Sequence, residues 1–186
     1  MITPTIFGCD PALTTGFGLI DAAGDIATFG HWCNKAPHEG RKAEDRPRRD
    51  QIRAHTFAQQ LRRILDGYPT IERLAYEWVW KHTSTAQSQL YAGWRALLLA
   101  ECHARGIDVW PVAWSTLKSV AYEYAEPSEI AQVKATKVKA ERRLASKALI
   151  IVAAKRRWTN APFTEDEADG LWVSEACRLG RGGGKA

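Results

Sequence analysis

TPTIFGCDPALTTGFGLIDAAGDIATFGHWC, residues 3–33, alternates apolar runs with residues that break strands. TIFGCD, GFGLIDA and DIATFGHWC read as three successive strands, with Gly16 and the Ala23–Gly24–Asp25 group as the breaks, which predicts an antiparallel meander. Beyond it, Ile52, Phe57, Leu61, Ile64 and Leu65 keep helical spacing until Gly67 and Pro69 end the pattern. IERLAYEWVW (71–80) gives a fourth strand, and a helix from about Thr85 to Arg105 carries Leu90, Trp94, Leu97 and Leu98 on one face. IDVWPVA (107–113) is a fifth strand, and Ser115 is placed as the N-cap of a short helix. The order βββαβαβα predicts an α/β fold, an open five-stranded mixed sheet covered by helices.

The remaining stretches are polar or basic. NKAPHEGRKAEDRPRRD (34–50) is charge-dense and broken by Pro37, Gly40 and Pro47, so an exposed, mobile loop is expected. Residues 119–146 read as a basic helical insertion, ALIIVAA (148–154) as a buried helix, Asn160–Ala161–Pro162 as a turn, and Asp166 to about Arg178 as the last helix. The domain is expected to span 1–179. The tail GRGGGKA (180–186) is expected to be flexible, and its GGGK lacks the spacing and following helix of a phosphate loop.

At 186 residues with 45% apolar content, one domain can build its core without staples. No run approaches the roughly 20 apolar residues of a membrane span, and MITPTIFGCD lacks the order of a secretory signal, so a cytosolic protein with no membrane partner is expected. Cys9, Cys33, Cys102 and Cys177 are scattered, which favours buried thiols over disulfides or zinc. The net charge of +5 is concentrated at Lys134, Lys137, Lys139, Arg142, Arg143 and Lys147, then Lys155, Arg156 and Arg157, consistent with a polyanionic partner or simply with a solvated helix face.

Four acids stand out against this background: Asp10, Glu77, Asp166 and Asp169. Asp10 and Glu77 interrupt apolar strands, where an unpaired carboxylate costs several kcal/mol or changes protonation. Convergence of the three stretches would make an all-oxygen cage for Mg²⁺ or Mn²⁺, the apparatus of phosphodiester chemistry. Each acid also has a bland explanation. Asp10 precedes a proline turn, Glu77 could face outward on an edge strand, and Asp166 and Asp169, at i and i+3, could cap a helix.

FGCDPALTTGFGLID resembles the first motif of the RuvC family of Holliday-junction resolvases, and LAYEWVW resembles its second acidic motif. QSQLYAGWRALLLAEC is similar to the helix that follows, STLKSV and LASKALI to segments bearing two family lysines, and EDEADGLWVSEA to the final motif. The resemblance covers most of the chain in order. Ala12 and Leu13 depart from the usual Gly-Ser, the 34–50 loop is longer, and residues 119–146 are extra. Glu165 and Glu167 leave open which acid joins Asp169.

The resemblance implies an RNase H-like fold. It implies two Mg²⁺ ions, replaceable by Mn²⁺, held by Asp10, Glu77, Asp166 and Asp169, with Lys118 and Lys147 near the scissile phosphate and Trp80 beside junction DNA. It further implies a homodimer resolving four-way junctions by paired cuts that leave 5′-phosphate and 3′-hydroxyl ends. A twofold interface would most naturally use an apolar helix face, for which the Leu90–Leu98 helix is the candidate, although that helix could equally pack against its own sheet. The alternatives are an RNase H-like nuclease for other branched DNA, flaps or RNA–DNA hybrids, an actin-like or sugar-kinase lobe, and an inactive DNA-binding module. A kinase fold needs two such lobes, more than 186 residues supply.

Overall fold

The computed structural model describes residues 2–36, 45–82, 84–159 and 164–183. Strands β1 (Ile6–Asp10), β2 (Thr14–Ile20) and β3 (Ile26–Cys33) form the expected meander, followed by helix α1 (Arg46–Gly67), β4 (Arg73–Trp78), α2 (Thr85–Arg105) and β5 (Asp108–Ala113). Four helices complete the chain: α3 (Trp114–Tyr122), α4 (Pro127–Ala135), α5 (Lys139–Arg157) and α6 (Glu165–Arg178). The sheet order is β3-β2-β1-β4-β5. β1 is antiparallel to β2 and parallel to β4, and β4 is parallel to β5.

Strand alternation sends successive side chains to opposite faces. Phe7, Cys9, Leu19, Leu74 and Tyr76 meet Phe57, Leu61 and Leu65 of α1 and Trp94, Leu98 and Cys102 of α2. On the other face Ile6, Ile20, Ala75 and Val112 meet α3, α5 and α6 through Leu117, Ile150, Leu171 and Trp172. Each fully buried Leu or Phe contributes about 1.5–3 kcal/mol relative to an exposed one.

Glycines let α6 lie close to the sheet. A Cβ on Gly8 or Gly16 would overlap Ser174 or the Asp166 backbone, and one on Gly18 would come within 2.6 Å of Leu171 Cδ2. Gly170 of the helix faces Phe17 of the strand, where a Cβ would lie 2.5 Å from Cα. Gly16 is therefore not a break. It lies inside β2, and the turn is made by residues 11–13.

Other boundaries also differ from the sequence reading. Asn34 and Ala36, placed in the loop, are buried, and residues 46–50 already belong to α1. Pro47 fits a first helical turn, where no N–H donor is needed, and the run of charged residues there hid the periodicity. Ser115 lies inside α3, whose N-cap is Ala113 with no side-chain cap. The basic segment and ALIIVAA share one helix: α5 is exposed from 139 to 144, then buries Leu149, Ile150, Ala153 and Ala154.

The tail is docked as far as it is described. Trp110 Nε1 donates to the Arg181 carbonyl at 2.9 Å, and Gly183 N donates to the Pro111 carbonyl at 2.8 Å. Residues 184–186, the 37–44 part of the expected loop and Asn160–Ala161–Pro162 lie outside the described residues. Cys9, Cys102 and Cys177 are buried, but Cys33, at the end of an edge strand, is exposed. The Leu90–Leu98 face packs Trp94 and Leu98 into the chain's own core, with Leu90 and Leu97 against it, so it is not a free dimer face. Among the described residues no helix is long and apolar enough to cross a membrane.

Candidate active site

Asp10 is the last residue of β1 and Glu77 the penultimate residue of β4. The parallel register runs from Ile6 opposite Arg73 to Cys9 opposite Tyr76, so its next step sets Asp10 level with Glu77. Alternation puts both on the α6 face, in line with Ile6 and Ala75. The α6 N-terminus supplies Asp166 and Asp169, and all four acids line one cleft of about 680 Å³. The expectation that the parallel strands present Asp10 and Glu77 at one sheet edge is met.

Capping is done by other residues. Thr164 Oγ1 accepts from Glu167 N at 3.3 Å, and Glu167 Oε2 accepts from Thr164 N at 2.8 Å. Glu167 Oε1 lies 3.1 Å from His31 Nδ1. Asp166 is thereby left to face the cleft, while Glu165, also at the cleft, is ion-paired with Lys147.

A clamp fixes the turn after Asp10. Buried Asn34 donates from Nδ2 to the Ala12 carbonyl at 2.7 Å and to Thr15 Oγ1 at 2.8 Å, and Thr15 Oγ1 donates to Ala12 O at 3.1 Å. Tyr91 fixes the end of β4. Its hydroxyl donates to the Glu77 carbonyl at 2.5 Å and accepts from Val79 N at 3.3 Å. The sequence reading missed both residues, although a tyrosine on a core-facing helical stripe signals a need to satisfy its hydroxyl.

Burial dominates the electrostatics. It raises Glu77 far above the usual carboxylate range, reinforced by the charges of Asp10 and Asp169. Asp10 is raised by burial too, partly offset by its interaction with Glu77. Asp169 is pushed up to about 7 by burial and then by Asp10, against the attraction of Lys147. Asp169 Oδ1 is buried with no hydrogen-bond partner.

This donor set fits a hard divalent cation: the oxygens are anionic, crowded and undersolvated, and one is orphaned. Among the described residues no three His, Cys, Asp or Glu side chains are already gathered to coordinate an ion.

No protein-family model and no curated protein matches the chain. Solved structures do. RuvC of T. thermophilus in complex with a Holliday junction substrate has a TM-score of 0.67 at 13% identity, covering 96% of this chain and 98% of that one. The chain has the RuvC fold. A second Thermus thermophilus RuvC structure gives 0.64 at 13% identity over the same 96% and 98%. The yeast mitochondrial Holliday junction resolvase Ydc2 gives 0.53 at 12% identity, over 95% of this chain and 78% of that one. The five-stranded mixed sheet is thus of the RNase H-like type expected from the sequence.

Within this RuvC-like frame the seven singled-out residues divide. Asp10, Glu77, Asp166, Asp169 and Lys147 share the cleft. Lys118 is not among the cleft's lining residues, and its Nζ lies 6.0 Å from the Tyr122 ring centroid. Trp80 is not packed in the core. It is 82% exposed, edge-on to Trp78 with ring centroids 5.3 Å apart. Arg46, Arg53, Lys81 and Arg143 add positive charge to the cleft walls.

Proposed function

We propose that this protein is a metal-dependent endonuclease that resolves four-way DNA junctions. The observation that carries this reading is the convergence of Asp10, Glu77, Asp166 and Asp169 from β1, β4 and α6 on one cleft walled by cations, in a RuvC fold. One structure of that fold holds a Holliday junction substrate.

Asp10, Glu77, Asp166 and Asp169 would hold two Mg²⁺ ions, or Mn²⁺ in their place. Bound there, the metal supplies activation of water and neutralisation of charge at phosphorus. The protein's own part is electrostatic and positional. Burial and mutual repulsion leave the carboxylates poorly compensated without a cation, and the Thr15–Asn34 clamp and Tyr91 hold the ends of the two ligand-bearing strands. Lys147, steered by Glu165, places a positive charge where a scissile phosphate enters, while Arg46, Arg53 and Arg143 offer contacts to the flanking backbone. The products are 5′-phosphate and 3′-hydroxyl ends.

Trp80 stands clear of the surface to stack on a base at the branch point, a contact worth about 1–3 kcal/mol. Lys118 is proposed as a phosphate contact outside the cleft. Two symmetric cuts call for a homodimer, whose interface uses a surface other than the Leu90–Leu98 face. The test is cleavage of four-way junctions, flaps, forks and RNA–DNA hybrids side by side with Mg²⁺ or Mn²⁺. Preference for the four-way junction is expected. Equal or better cutting of the others would assign the chain to the wider branched-nucleic-acid nucleases.

A further inference from the structure

The segment leaving β4 carries both a proposed metal ligand, Glu77, and a proposed branch-point reader, Trp80, three residues apart. Two residues of α2, Tyr91 and Arg95, hold this segment one turn apart on the same helix face.

Tyr91 holds its backbone. The hydroxyl bridges the Glu77 carbonyl at 2.5 Å and the Val79 amide at 3.3 Å, which pins the backbone on both sides of Trp78. Its ring also lies 4.8 Å, centroid to centroid, from His82 on the far side of Trp80. Arg95 holds the rings. Its Nε donates to Tyr76 Oη at 3.2 Å, and its guanidinium sits 4.2 Å from the centroid of Trp78. Trp78 in turn presents its ring to Trp80 in a T-shaped contact at 5.3 Å. A guanidinium over an indole is a strong form of cation–π contact, and its planar fork serves the tyrosine at the same time, which lysine cannot reproduce.

We propose that Tyr91 and Arg95 are positioning residues that set the distance from the branch point to the cut phosphate by locking Trp80 relative to Glu77. The proposal rests on the junction-nuclease reading. It assigns the choice of cut position to α2 rather than to the carboxylates: Tyr91 lines the cleft beside them, and Arg95 is not among the cleft's lining residues.

Tyr91→Phe removes the two hydrogen bonds and keeps the ring. Arg95→Lys keeps the charge and loses the stacked fork. The test maps cut positions on a four-way junction at nucleotide resolution for wild type and both variants, and follows Trp80 by ¹⁹F NMR with 5-fluorotryptophan, assigned through Trp80→Phe. Wild type is expected to cut at one principal phosphate, whereas each variant spreads cuts over neighbouring phosphates and loses about tenfold in kcat/KM. The Trp80 resonance narrows in both variants without DNA, and the melting temperature stays within a few degrees. Unchanged cut positions with an unchanged Trp80 resonance would overturn the proposal while leaving the nuclease reading intact. Failure of wild type to cut any branched DNA would overturn the nuclease reading, and an unmoved Trp80 resonance in the variants would still count separately against the lock.

Discussion

Gly16 lies directly beneath the Asp166 peptide, so close that a β-carbon on residue 16 would overlap the Asp166 backbone carbonyl. This contact joins the first motif to the last and sets where the α6 acids stand above Asp10.

Gly16→Ala should therefore damage the site more than the fold. Relief of the overlap requires α6 to lift at its N-terminus, an overpacking cost of about 1–3 kcal/mol. The expected outcome is a lower melting temperature with the chain still folded at 25 °C, and a loss of cleavage of about a hundredfold or more. Wild-type cleavage in this variant would show that the close approach does not position Asp166 and Asp169.

Asp10→Asn should separate catalysis from binding. It removes one of the crowded charges and a proposed ligand, so cleavage should fall by about a thousandfold or more while four-way-junction affinity changes little. In EDTA the variant should melt a few degrees higher than wild type because carboxylate repulsion is relieved. Added Mg²⁺ should raise the wild-type melting temperature and leave the variant's nearly unchanged, as ligand binding to the folded state requires. Calorimetry with and without Mg²⁺ reads both effects.

The two lysines should part company. Lys147→Ala removes a cleft cation and should slow single-turnover cleavage about tenfold or more, roughly 1.4 kcal/mol of transition-state stabilisation. Lys118→Ala lies outside the cleft and should slow it by less than about threefold while weakening binding modestly. Junction affinity should fall steeply with salt, in proportion to the number of phosphates contacted, which a titration from about 50 to 200 mM would measure.

Glu175 provides a pH test of the fold. Its buried side chain accepts from Arg178 Nε at 2.6 Å and from Arg157 Nε at 3.3 Å. Burial alone would raise its pKa, but the two arginines outweigh that and hold it below the ordinary value of 4.5. A depressed folded pKa means the unfolded chain takes up the proton first as pH falls. The stabilisation is thus fully present above about 4.5 and disappears as pH drops through the lower folded value. Glu175→Gln should cost about 1–3 kcal/mol near neutrality, by removing the charged acceptor of two partly buried arginines. The melting-temperature gap to wild type should stay level from pH 6 to 8 and close below about pH 4.

What was legible in the sequence follows from periodicity and from charge in the wrong place. The five strands and their order along the chain could be read because each is a short apolar run bounded by turn residues or helical spacing, and Asp10 and Glu77 were conspicuous because they interrupt such runs. Gly16 was misread as a turn because its role depends on α6, 150 residues away. The first turn of α1 was hidden by its run of charged residues, of which Arg46 lines the cleft and Arg48 is exposed. Sequence alone could not choose between capping and catalysis for Asp166, since that choice depends on Thr164 and Glu167 completing the cap. Lys118 and Lys147 look alike in sequence, and the side chain's place in the fold, at the cleft for one and outside it for the other, separates them.

The most direct test of the central claim is a side-by-side cleavage assay with Mg²⁺ on a four-way junction, a flap, a fork and an RNA–DNA hybrid, with Asp10→Asn as control. The account predicts paired, symmetric cuts in the four-way junction leaving ligatable 5′-phosphate and 3′-hydroxyl ends, much weaker cutting of the others, and none by the variant. Intact junctions with the wild-type enzyme, or Mg²⁺-dependent cutting undiminished by Asp10→Asn, would contradict it.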